Sequence, residues 1–296
     1  MIIDAHVHLY PPEISADPAA WAATAGEAQW AALCLRRRKD GRPVQSFPKV
    51  DELLRMMDAS QITNAVLLGW YWEKPANCVA QNRFYAACVR AHADRLSAFA
   101  TLHPAAGRIA VINELRRARE EGLVGLGELS PHSQGYAIDD AVFGEVITLA
   151  GEWGFPVNFH VTDPAARPYP GRVDTPLEDF GQLARAFPGT TFILAHGGGL
   201  TPVVAAGVVA RACPNVYYDT AAFPLIYGEE VWVKIWERLG RERIIFGSDF
   251  PLNLYPAMAG GPEMARFLAE ARRAGADARV LGENVRKLLN ITATND

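Results

Sequence analysis

The chain opens MIIDAHVHLY (residues 1–10), and the reading of this stretch decides the fold. Its apolar start and alternating pattern predict a short buried strand beginning almost at the first residue. His6 and His8 lie two positions apart, so both imidazoles leave the same face of that strand. Two imidazoles on one face at one strand end can grip a single metal ion. A histidine also sits in folds with no metal at all. The pair therefore weighs only as much as the rest of the chain allows.

Strand-like apolar runs recur near residues 66, 98, 126, 158, 193, 217 and 245, and a helical pattern follows each. The first helix, VDELLRMMDA at 50–59, carries its apolar residues at 50, 53, 54 and 57, one helical face. Further helices are expected over 77–93, 108–121, 141–153, 175–187, 202–213, 229–239, 263–274 and 278–289. Gly122 and Gly154 stand where the third and fourth should stop. Eight strand–helix units predict an α/β fold with a parallel sheet, closed as a (β/α)8 TIM barrel in one domain over 1–296. An open doubly wound sheet would want a G-x-G-x-x-G turn, which Gly197-Gly198-Gly199 does not supply. After the first strand comes a long insertion, residues 11–47, holding Trp21, Trp30 and the run Arg36-Arg37-Arg38-Lys39. It reads equally as a lid or as an excursion packing its tryptophans on the barrel's outside. The basic run reads as a solvated loop.

Half the residues are hydrophobic, 21% are charged, and the net charge is -4 with mixed signs. Nothing there asks for nucleic acid or an anionic membrane. No run is apolar enough to span a bilayer, and a strand starting at residue 2 leaves no room for a leader. Cys34, Cys78, Cys88 and Cys213 form no C-x-x-C pair and no disulfide framework, which predicts reduced thiols and a cytoplasmic protein.

In a barrel the C-terminal strand ends share one rim, where chemistry sits. His6, His8, His103, Glu128, His160, His196, Asp219 and Asp249 all fall there, five of the chain's seven histidines among them. Imidazoles and carboxylates together suit a catalytic divalent metal with an open position. Glu128, buried near the end of GLGEL, needs a cation, either a metal or an arginine. Asp219 either orients a ligand or bonds backbone. His103 and His132 either line the pocket or, for the histidine before Pro104, complete a turn. Arg167 and Arg172 follow the strand-five histidine; they either clamp a substrate carboxylate or face water. Trp70, Tyr71 and Trp72 leave strand two as a candidate pocket wall, or pack on the insertion. Trp72, His132, Arg167 and Arg172 are the substrate-binding candidates.

The motifs DAHVHL (4–9), NFHV (158–161), LAHGGG (194–199), FGSDFP (246–251) and the ending GENVRKLL (282–289) together resemble the amidohydrolase superfamily in its amidohydrolase-2 branch. The resemblance covers nearly the whole chain. It implies that His6, His8, His160 and Asp249 bind metal. Asp249 is also implied as the base toward an attacking water, and His196 as a second-metal ligand or a substrate contact. Zinc is the first expectation and manganese the second, as one ion or two. Two-metal members take an anionic bridge from strand three or four; strand four here offers Glu128 and no lysine, so Glu128 is expected as a ligand. The implied activity is hydrolysis of a small lactone, ester or amide. The alternative is a one-metal decarboxylase of an unsaturated or aromatic acid, similar to aminocarboxymuconate-semialdehyde decarboxylase, with Glu128 a bystander. The expected partner is a small molecule; a homodimer is compatible with the aromatic content.

Overall fold

The computed structural model describes residues 1–199, 212–258 and 260–290. Eight strands stand where the apolar runs predict them: β1 (Ile3–Val7), β2 (Asn64–Leu67), β3 (Leu96–Ala98), β4 (Leu126–Leu129), β5 (Val157–Phe159), β6 (Phe192–Leu194), β7 (Val216–Asp219) and β8 (Ile244–Ile245). Strands β1 to β3 form one parallel sheet and β4 to β8 another, each in sequence order. Backbone hydrogen bonds cross both seams. At one, Ala100 N donates to Gly125 O (2.9 Å) and Gly127 N to Ala100 O (2.8 Å); at the other, Ala5 N donates to Phe246 O (2.9 Å) and His8 N to Phe250 O (2.7 Å). The two sheets thus form the expected TIM barrel.

Helices cover the outside for the reasons the sequence supplies. Ala141–Trp153 starts because the Asp140 side chain accepts from Phe143 N, and it stops at Gly154, whose φ of 66° is left-handed. Val50–Ala59 buries Leu53 and Met57 on its apolar face. These two residues join Ala65, Leu67 and Tyr85 in the large cluster between helices and strands. A second cluster takes Ile3 and Ala5 from β1, Val66 from β2, Ile193 from β6 and Ile245 from β8, filling the space the sheets enclose. The expected helix 202–213 falls almost wholly outside the described residues. The last expected helix, 278–289, begins instead as a π-turn, Arg279–Glu283, before Asn284–Leu288.

The insertion after β1 is not a bare loop. It folds into three short helices, Pro12–Ala16, Pro18–Ala25 and Ala28–Cys34. Trp30 is fully buried with Tyr10, Trp70 and Trp72 in a cluster of their own. A ring of this size buries roughly 200 Å² of surface, a gross gain on the order of 5 kcal/mol. The insertion therefore packs its tryptophans on the barrel and also reaches the rim at the C-terminal strand ends. Among the described residues, no helix is long and apolar enough to cross a membrane.

Candidate metal centre

Glycines let the strands approach closely enough to bring the rim residues together. A Cβ on Gly127 would lie 2.5 Å from Asn158 O, and one on Gly247 would lie 2.6 Å from the His6 Cβ. Gly127 also has a φ of 128°, outside the reach of an ordinary side chain. Glu128 and His160 are thus pressed together across β4–β5, and His6 against β8. His196 (φ 57°) and Asp249 (φ 67°) take left-handed backbone without being glycine. Such residues cost about 1–2 kcal/mol each and cluster at functional sites. Local bonds hold both: His196 N donates to Asp219 Oδ1 (2.9 Å), and Asp249 N to His6 O (2.9 Å).

The side chains converge on two adjoining positions. His6 Nε2 and His8 Nε2 lie 3.1 Å apart. Glu128 Oε2 is 4.0 Å and 3.6 Å from these nitrogens, and Asp249 Oδ1 is 3.7 Å and 3.5 Å from them. On the other side, His160 Nδ1 is 3.1 Å from Glu128 Oε1, and His196 Nε2 is 3.3 Å from His160 Nδ1 and 3.7 Å from Glu128 Oε1. Two ligand groups result, His6–His8–Glu128 and Glu128–His160–His196, each with ligand atoms within 4.8 Å of one another. Glu128 belongs to both, one oxygen to each.

The far sides of His6, His8 and His196 show that this cluster suits a cation. His8 Nδ1 faces Leu68 O at 3.0 Å, and His196 Nδ1 faces Ala221 O at 3.1 Å. A carbonyl only accepts, so both rings carry their proton on Nδ1 and present a bare Nε2 to the cluster. His6 Nδ1 donates to Asp219 Oδ2 at 2.9 Å, which aims its Nε2 the same way. Asp219, the last residue of β7, is fully buried and also accepts from His196 N, Ala221 N and Asn158 Nδ2. Lone pairs and carboxylates facing one another in a buried space are the donor set of a divalent metal.

The electrostatics agree. Burial alone would lower the His6 pKa, but Asp219, Asp249 and Glu128 around it raise it to about 10. Burial and the neighbouring His6 charge lower His8 to about 3, and burial and His160 lower His196 to about 4. Burial works to raise Glu128, yet His160, His6 and His8 hold its carboxyl well below the usual range. Asp249 is raised to about 7, by burial first and then by the charges of Glu128 and Asp219, against the pull of His6.

A cavity of ≈ 720 Å³ opens over this cluster, with His8, Glu128, His160, His196 and Asp249 at its floor. Trp70 and Tyr71 form an aromatic wall, whereas Trp72 does not line the cavity. Trp72 is buried against Trp21 and Trp30, and its Nε1 donates to Gln81 Oε1 (2.5 Å). Arg167 lines the mouth and is exposed. Arg172 does not line the cavity; it pairs with Asp174 at 2.7 Å. His132 is also outside, bonded through Nε2 to Asp179 Oδ2 at 2.8 Å. His103 completes a turn: Nε2 donates to Gln134 O (3.1 Å) and Nδ1 accepts from Ala105 N (3.2 Å). The run Arg36-Arg37-Arg38-Lys39, expected to face only water, instead forms part of the cavity wall. Arg36 and Arg38 are half-buried there because the insertion folds back over the rim.

The barrel and the cluster define a rim-centred candidate metal enzyme. The amidohydrolase family model matches residues 3–291, so the chain belongs to the amidohydrolase family. A search of curated proteins finds no match. Among solved structures, the chain is similar to 5-carboxyvanillate decarboxylase LigW from Sphingomonas paucimobilis, at 17% identity over 98% of this chain and 99% of that one, TM-score 0.72. It is also similar to 2,6-dihydroxybenzoate decarboxylase from Rhizobium, at 16% identity over 98% of both chains, TM-score 0.67. A third is 5-carboxyvanillate decarboxylase from Novosphingobium aromaticivorans, complexed with manganese and a nitrobenzoic acid, at 16% identity over 98% of this chain and 96% of that one, TM-score 0.72. At these identities the likeness speaks to the fold.

Proposed function

We propose that the chain is a metal-dependent hydrolase of a small lactone, ester or amide. One observation carries this reading: Glu128 lies between two histidine groups, with one oxygen toward each. His6, His8 and Asp249 would hold one divalent ion, His160 and His196 a second, and Glu128 would bridge them. Zinc is the first choice, and manganese, present in one relative, the second. A divalent ion there supplies Lewis acidity and makes hydroxide available near neutral pH. Asp249 is the proton carrier. Buried beside that position on the cavity lining, its carboxylate would take a proton from the attacking water and return it to the leaving group. Trp70 and Tyr71 would orient the substrate and keep bulk water from one side of it. The four cysteines are buried free thiols, which supports a reducing, cytoplasmic setting.

A second reading is decarboxylation of an aromatic or unsaturated acid. The structural relatives support it more than they support hydrolysis, since all three described above are decarboxylases. In that case one ion suffices, and Asp249 delivers the proton that replaces CO2 on carbon. The test runs metal-loaded protein on a panel of lactones, esters, amides and aromatic acids in 18O-labelled water, with CO2 trapped. Label in the product without CO2 is the expected result, lost in Asp249→Asn. CO2 release without label overturns hydrolysis in favour of the second reading. Turnover undiminished in Asp249→Asn overturns the proton-carrier role under either.

A further inference from the structure

The insertion after β1 carries a feature that the metal centre leaves unexplained. Arg36 and Arg38, both half-buried, line the same cavity as the metal cluster. Each has its Nε buried with no hydrogen-bond partner. Both are held in place by other means. The Arg36 guanidinium lies 4.5 Å over the Tyr169 ring, and Arg38 Nη2 donates to Asn253 O at 3.0 Å. Among the described residues no carboxylate lies within ion-pair reach of either. The acid nearest in sequence, Asp40, is bound to Arg42 at 2.6 Å. Arg37, Lys39 and Arg167 add further positive charge to the wall; the acids on the lining are Asp163 and the two cluster members Glu128 and Asp249. Burial, with Arg36 and Arg42 close by, lowers the Arg38 pKa against the smaller opposing pull of Asp40. Fixed guanidinium planes lacking an anion cost free energy unless a ligand supplies one.

We propose that Arg36 and Arg38 are the anion-binding end of the cavity, so that the substrate is a small, flat acid whose free carboxylate docks on them while its reacting bond lies over the metal centre. This rests on the reading of the cavity as the substrate site of a metal enzyme. A carboxylate fits because its two oxygens match the planar guanidinium fork. A flat molecule fits because Trp70, Tyr71 and Tyr169 supply aromatic walls between the two ends. The selectivity would come from residues far from β1 to β8, on the segment where the chain departs most from a plain barrel.

The test is equilibrium binding by calorimetry to metal-loaded protein, with metal content measured on the same samples. The probes are isophthalate and terephthalate, each against its monoamide, which keeps the shape and loses one charge; benzoate is the single-acid control. The wild type is expected to bind the better diacid at least about tenfold more tightly than its monoamide, the scale of a charge-assisted hydrogen-bond pair. Arg36→Gln with Arg38→Gln should abolish that preference and leave metal content unchanged. A wild type without the preference, or a double variant that keeps it, overturns the proposal. Should the double variant not fold, R38Q alone is read the same way against the wild-type pair. No turnover is needed, so failure to hydrolyse anything would sink the reaction assigned above and leave this binding result standing.

Discussion

Replacing Asp219 by asparagine should loosen the metal centre without any change to a proposed ligand. Asp219 Oδ1 accepts from two backbone N–H groups, His196 (2.9 Å) and Ala221 (3.0 Å). Its Oδ2 accepts from His6 Nδ1 (2.9 Å) and Asn158 Nδ2 (3.1 Å). In Asp219→Asn the one remaining oxygen stays with the two backbone donors, which cannot turn away. The amide NH2 then faces His6 Nδ1, which must become an acceptor. That moves the ring proton to Nε2, the atom aimed at the metal. Even the neutral ring then carries its proton on the metal-facing nitrogen, and a cation must bind a ring no longer polarised by a carboxylate. Partners of this kind are worth about 10- to 100-fold in metal affinity. Chelator competition on purified protein, with melting curves to confirm folding, measures the change. A folded Asp219→Asn protein whose metal affinity stays within about twofold of wild type would refute the reasoning.

Metal binding should also depend on pH. Without metal, Asp249 holds its proton up to about 7 and His6 up to about 10, and binding must displace both. Proton competition weakens as pH rises, so calorimetric affinity should climb across that interval; a flat or falling profile contradicts the assignment. Glu27, fully buried in the insertion, accepts from Glu73 N (2.8 Å), Lys74 N (3.0 Å) and Asn77 Nδ2 (2.7 Å). Glu27→Ala strands those donors and should cost about 2–4 kcal/mol in urea unfolding; a loss under about 0.5 kcal/mol would show that the insertion is held elsewhere.

The barrel was legible because period and punctuation are local. The helix Val50–Ala59 lies where its apolar spacing puts it, and Ala141–Trp153 runs between the Asp140 cap and Gly154. The convergence of His6, His8, Glu128, His160, His196 and Asp249 followed from one rule, that parallel strands in a barrel end at one rim. What lay beyond was tertiary. Past Leu67 the chain leaves the strand, alternation no longer fixes which ring points where, and Trp70 and Tyr71 reach the cavity while Trp72 turns to Trp30. Arg172 had a competitor in plain view, Asp174 two residues on, and it took it. His132 met Asp179, a partner 47 residues away that no local pattern announces. A charge run such as 36–39 looks solvated until the fold of its whole segment is known, and that fold depends on where Trp30 packs.

The central claim is that Glu128 joins two metal positions. Metal content per chain, measured on wild type and Glu128→Gln prepared without chelators and reloaded with zinc or manganese, tests it most directly. The account predicts two ions in the wild type and one or fewer in the variant. One ion in both, with the variant's affinity unchanged, would contradict it and leave Glu128 a bystander to a single-metal centre.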